Sequence, residues 1–181
     1  MTKLIYSIIT VFLMLVGCSN DLSTTEKQET KKNVSEEELS FEEKQKEIVQ
    51  FINDDMQNIV NYETEANQQL ATVSGENFRS DQELYEVLTV KVIPTYEKAV
   101  NEVKNLEVSI DELEPLIKQI EVATGTYYEA LMLEKEALEK NDKELIEKSN
   151  SKAQEYMEKI TSYHEDMKNL AGDYEIDYQL N

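Results

Sequence analysis

Tryptophan is missing from this chain, and cysteine, histidine and arginine occur once each, as Cys18, His164 and Arg79. A single cysteine excludes an intrachain disulfide and any Cys-x-x-Cys metal or redox motif. Four glycines and two prolines leave little turn chemistry, and neither a Gly-rich phosphate loop nor a Gly-x-Ser-x-Gly elbow is present. One histidine leaves no His-Glu-x-x-His zinc site. Basic residues are also few, 18 against 38 acids, for a net charge of −20. Charge of that sign and size repels a phosphate backbone, so nucleic acid is not an expected partner. Long hydrophobic runs are scarce as well, and the one at the N-terminus stands out for that reason.

That run follows Met1-Thr2-Lys3 and extends from Leu4 to Val16, 13 mostly apolar residues behind one positive charge. As a helix it spans roughly 20 Å, well short of the ~30 Å hydrocarbon core, so it reads as a signal peptide rather than a permanent membrane span. It ends at Leu15-Val16-Gly17-Cys18. A thiol there can take a lipid on sulfur, and the small Gly17 in front of it lets a peptidase approach the backbone closely.

These four residues resemble the lipobox of bacterial prolipoproteins. The resemblance implies cleavage between Gly17 and Cys18 and a diacylglyceryl thioether on Cys18, which becomes the first residue of the mature chain. Two acyl chains hold a protein stably where one gives only marginal binding. The competing reading is an ordinary secretory signal with an incidental cysteine. A lone exposed thiol with no partner in the chain argues against it.

Residues 18–35 are polar and rich in Ser, Thr, Lys and Glu, without apolar periodicity, and predict a disordered tether of roughly 20 to 25 Å mean reach. Lys3, Lys27, Lys31 and Lys32 face Asp21, Glu26 and Glu29 within the first 35 residues, so the whole acidic excess falls on residues 36–181. An anionic membrane surface repels such a body while the anchor holds its end.

Abundant Glu, Lys, Leu and Gln with few Gly and Pro predict an all-α body for residues 36–181, an antiparallel bundle of three to four amphipathic helices. Ser35 with Glu38 fits a capping box opening the first helix. Its stripe runs Phe41, Gln45, Ile48, Ile52, Met56, Ile59, Tyr62, Ala66, Leu70 and Val73, closed by Ser74-Gly75. Ser80 or Asp81 opens a second helix carrying Leu84, Val87, Leu88, Val92, Tyr96, Ala99, Val103 and Leu106, with a kink or break expected at Pro94. Asp111 is the expected cap of a third helix, with Pro115 in its first turn and Leu116, Ile120, Ala123, Tyr127, Leu131, Glu134 and Leu138 inward. Asp142 caps a fourth, which buries Leu145, Ile146, Ser149, Ala153, Tyr156, Ile160, Tyr163, Met167 and Leu170 and ends at Ala171-Gly172 with Gly as C-cap. The rest, 173–181, reads as a tail. Periodicity alone also permits a coiled-coil hairpin or a homodimer through helices.

Acidic pairs such as Glu36 with Glu38 or Asp54 with Asp55 arise by composition, and no catalytic residues are assigned; the protein reads as a non-enzyme. His164-Glu165-Asp166 lacks the converging donors of a metal site, and His164 is expected on the surface. Asp173, Glu175 and Asp177 alternate without the glycine and terminal glutamate of a calcium loop, so no metal is assigned. Ten tyrosines are present, of which Tyr127, Tyr128, Tyr156 and Tyr163 are the candidates for lining a groove for a peptide or glycan, or else for capping layers of the bundle.

The whole pattern, a lipobox, a polar tether and an acidic helical body, looks like the small helical lipoproteins of Gram-positive bacteria. It implies a cell-membrane, extracytoplasmic protein with no cofactor besides the covalent lipid. The expected partner is an envelope protein or peptide; the alternative is a solute- or metal-capturing lipoprotein serving an uptake system.

Overall fold

A computed structural model describes residues 39–179. The leader, Gly17, Cys18, the tether and the Ser35 cap lie outside the described residues. The described chain is all-α: four long helical rods packed against one another, with no strand among the described residues.

The first rod consists of α1 (Phe41–Gln50) and α2 (Gln57–Ala71), joined by a π-helical turn, Phe51–Asp55. It opens on a capping box in which the Ser40 hydroxyl accepts from the Glu43 amide and the Glu43 carboxylate accepts from the Ser40 amide. The π turn, closed by the Met56 amide donating to the Phe51 carbonyl at 3.1 Å, inserts one residue into the helical repeat. The buried stripe therefore steps from Phe51 to Met56, and Phe51 rather than Ile52 is fully enclosed.

The second rod holds α3 (Asp81–Val87) and α4 (Ile93–Lys104), again joined by a π turn, Leu88–Val92. Ser80 caps it, accepting from the Glu83 amide at 3.2 Å. Pro94 falls in the first turn of α4, where its missing amide costs least. The break expected at Pro94 is thus a π turn just upstream of it.

The third rod is α5 (Glu114–Lys140), with Pro115 in its first turn as expected. Asp111 does not cap it. Asp111–Leu113 instead form a 3-10 turn leading into the helix, and no side chain caps α5. Asn141, in the left-handed conformation at φ 53, ends α5, and Asp142 at once caps α6 (Lys143–Asp173) by accepting from the Glu144 amide at 2.9 Å.

Gly172 is not the C-cap expected of it: α6 continues through it to Asp173. The left-handed residue is Glu175, at φ 55. The Glu175 amide donates to the Gly172 carbonyl and the Ile176 amide to the Ala171 carbonyl at 2.8 Å, a Schellman pair with glutamate where glycine usually sits.

Two hydrophobic clusters fill the bundle. One takes Ile48, Phe51 and Ile59 from the start of the first rod, Ala99 and Val103 from the end of the second, Leu116 and Ile120 from the start of the third, and Ile160 and Met167 from the end of the fourth. The other takes Leu70 and Val73, Leu84 and Leu88, and Leu131, from the opposite ends. Starts packing with ends in this way is the up-down-up-down arrangement that short joints favour. Tyr127 packs against both clusters.

Candidate functional site

One level of the bundle carries polar chemistry inside the core. Glu63 on α2 is 8% exposed and Tyr96 on α4 is fully enclosed. The Tyr96 hydroxyl donates to Glu63 Oε1 at 2.7 Å. Tyr127 on α5 stands edge-on to Tyr96, centroids 5.0 Å apart, and lies 4.9 Å from the ring of Tyr156 on α6. Its hydroxyl donates to Asn67 Oδ1 at 3.2 Å. Each of the four rods thus contributes an aromatic or polar side chain to one layer.

Burial dominates the electrostatics of that layer. It pushes the Glu63 carboxyl up to about 7, against the opposing effect of hydrogen bonds from Tyr96 and Tyr156. Burial, followed by the charge of Glu63, holds the Tyr96 and Tyr156 phenols well above their ordinary range. Glu134 on α5 is also buried, and desolvation pushes it up to about 7. Both glutamates accordingly keep their protons to a much higher pH than an exposed carboxyl does.

The four tyrosines expected to line a groove do not do so. Tyr156 and Tyr163 are 4% and 3% exposed, within the first cluster, and Tyr127 bridges the clusters from inside. Tyr128, one residue on and about 100° further round the helix, packs only against the second cluster. Tyr156 and Tyr163 are layers of the core, and Tyr127 and Tyr128 are partly buried against it.

His164 is not on the surface either. It is 6% exposed, and burial lowers its imidazole to about 4. Its Nδ1 lies 2.8 Å from the Tyr178 hydroxyl, and its Nε2 is buried without a hydrogen-bond partner. The segment after α6 brings Tyr178 there. Tyr174, Ile176 and Tyr178 all pack against the first cluster while Glu175 and Asp177 are exposed. The acidic alternation at Asp173, Glu175 and Asp177 is therefore the exposed side of the helix end and of the segment that turns back over the first cluster.

A surface cleft of about 340 Å³ opens beside the first π turn, lined by Glu47, Gln50, Asp55, Glu107, Val108, Ser109 and Leu113. The Ser109 hydroxyl donates to Glu47 Oε2 at 2.6 Å. Burial, and to a lesser degree the neighbouring Asp54 and Glu47, raise the Asp55 carboxyl. Among the described residues no group of three or more His, Cys, Asp or Glu side chains is placed to hold a metal ion.

Glu134 was within reach of the periodicity, since it occupies an inward position between Leu131 and Leu138. Glu63 was not singled out, although Ile59, Glu63, Ala66 and Leu70 step by four, three and four and so share one face. No family model, no curated protein and no solved structure matches this chain.

Proposed function

We propose that this chain is a lipid-anchored lipoprotein of the cell envelope, held on the extracytoplasmic face of the membrane through Cys18, whose non-enzymatic helical body binds an envelope protein or peptide. The observation that carries the reading is the leader itself, a short apolar run closed by Leu15-Val16-Gly17-Cys18 and followed by a polar tether. No described helix is long and apolar enough to cross a membrane. Two acyl chains on Cys18 supply stable attachment without one.

The chemistry of the body supports binding over catalysis. Its buried polar groups tie helices together, as Tyr96 ties α4 to Glu63 on α2 and the Ser149 hydroxyl ties α6 to the Ala130 carbonyl at 2.8 Å. Metabolic labelling with a palmitate analogue tests the anchor: the wild-type chain takes up label and partitions with membranes, and Cys18→Ser does neither. Equal labelling of both would overturn the reading. Crosslinking in intact cells tests the partner, and recovery of the body alone counts against a binding role.

The acidic cleft of Glu47, Asp55 and Glu107 favours a second reading, capture of a cationic solute for an uptake system. Equilibrium dialysis of the full chain against divalent metals and polyamines separates the two, because the second requires stoichiometric binding.

A further inference from the structure

The sole histidine, His164, is buried, and part of its cover is the segment that follows α6. Tyr178 closes over it, with the hydroxyl 2.8 Å from Nδ1 and the two rings 6.2 Å apart at their centroids. The near end of that segment is well held. The Glu175 and Ile176 amides donate into the end of α6, the Gln45 side-chain amide donates to the Tyr174 carbonyl at 2.8 Å, and the Tyr174 hydroxyl donates to Glu112. The far end is not. Among the described residues no backbone amide beyond Ile176 donates to backbone, and the Gln179 side chain turns back to Asp177 within the segment. Residues 177–179 are therefore fastened to the bundle by one hydrogen bond and the packing of one ring, both from Tyr178.

The imidazole beneath is poorly placed to carry charge. An imidazolium has two N–H groups to satisfy, and here Nδ1 has the Tyr178 oxygen while Nε2 is buried without a partner. Burial is the one influence on its titration, with no contribution from a neighbouring charge. On α6, Glu165, Asp166 and Lys168 are exposed, and Asp166 accepts from Gln119. On α1, Glu42, Glu43 and Lys46 are exposed, Lys44 pairs with Glu112, and Glu47 accepts from Ser109. Glu175 and Asp177 are exposed on the closing segment itself, and the adjacent ring, Tyr163, is a neutral phenol. Charging His164 thus requires water. The least costly entry is under residues 177–179, whose lifting breaks no backbone hydrogen bond among the described residues.

We propose that residues 177–179 form an acid-released latch: Tyr178 is seated on His164 while the ring is neutral and lifts away when it is protonated, with the turn after α6 and the four rods staying in place. A solvated imidazole titrates near 6.5 and the enclosed one near 4. The lifted form therefore gains as pH falls through 6.5 and has its full advantage near 4. At pH 5 protonation shifts the balance toward it by about 30-fold relative to pH 8.

The test is NMR of the full chain in detergent, with histidine and tyrosine rings labelled with carbon-13. The His164 signals are unique, and the Tyr178 signals are those missing from Tyr178→Phe. Between pH 7.5 and 4 the Tyr178 signals are expected to move to exposed-tyrosine positions with the midpoint of His164, at unchanged helicity by circular dichroism, and to stay still in His164→Phe. In Tyr178→Ser the cover is gone, and the His164 midpoint is expected to rise toward 6.5, at least tenfold in proton affinity. Tyr178 signals that stay still through the His164 titration overturn the proposal, as does equal movement in His164→Phe. An unmoved His164 midpoint in Tyr178→Ser overturns it too. So does loss of helicity in step with His164 protonation, because the rods and not the latch are then what opens. If Tyr178→Ser itself lowers helicity, Tyr178→Phe carries the comparison: it keeps the ring and loses the hydroxyl contact, a smaller rise is expected, and an unmoved midpoint overturns the latch.

Discussion

Tyr96 and Glu63 form a hydrogen bond of 2.7 Å inside the core, linking the second rod to the first. A carboxyl group enclosed by apolar layers is costly unless a donor meets it, and the phenol is that donor. The same bond fixes the register of α4 against α2, since a shift of either rod by one turn separates the pair.

Replacing Tyr96 by Phe keeps the ring and its edge-on contact with Tyr127 but leaves the carboxyl short of a partner. The expected loss is about 1–3 kcal/mol in urea denaturation at neutral pH. Because the Tyr96 hydrogen bond holds the Glu63 carboxyl down, Tyr96→Phe also moves its titration further upward, measurable by carboxyl NMR. Wild-type stability in Tyr96→Phe would show that the bond contributes nothing net.

The two buried glutamates give the fold a pH dependence of definite sign. Both titrate near 7 in the folded state because burial disfavours their charged form. Unfolded, a glutamate titrates near 4.3. Their contribution is therefore complete below about pH 4 and is lost as pH rises through about 7, at up to ~3 kcal/mol for each group. Thermal melts between pH 5 and 8 should show stability falling with pH, and Glu63→Gln with Glu134→Gln should flatten that slope. A slope unchanged in the double variant would assign it to surface charge instead.

His164 works in the opposite direction. Burial holds its folded-state pKa near 4, below the ordinary 6.5, so the fold favours the neutral ring. Its contribution is present above about pH 6.5 and is lost as pH falls toward 4. His164→Phe removes this acid-side loss while filling similar volume, and it also frees the Tyr178 hydroxyl. Because His164 opposes the two glutamates, His164→Phe should gain stability at pH 4.5 relative to pH 7.5 compared with wild type, widening the difference between melts at the two pH values, and hydrogen exchange at residues 176–179 should quicken.

The four rods were legible because each presents seven to ten inward positions at helical spacing, and Ser80, Pro115 and Asp142 mark starts whose chemistry is local. The π turns were not. Whether Phe51 or Ile52 faces inward is decided by the partner helices, and both residues suit either place. Glu63 and His164 were hidden for another reason: a polar side chain on an inward face has a satisfying partner far away in sequence, Tyr96 for one and Tyr178 for the other. In the last segment, three inward residues in five make too short a pattern, and the acids between them drew attention to the wrong face.

Glu175 offers a stabilising change. It sits at φ 55 as the left-handed residue of the Schellman turn, a conformation that costs a side-chain-bearing residue roughly 1–2 kcal/mol and glycine almost nothing. Part of that gain is offset because glycine has more freedom to lose on folding. Glu175→Gly should therefore raise stability by about 1 kcal/mol, or about 2–4 °C in melting temperature for a body of this size. Glu175→Ala is the control: it removes the same charge but keeps the strain, so it separates the backbone effect from relief of acidic repulsion. If Glu175→Ala stabilises as much as Glu175→Gly, charge and not conformation is what the turn opposes. If only the glycine variant gains, the reversal that lays Tyr174, Ile176 and Tyr178 along α6 is held against backbone strain by their packing.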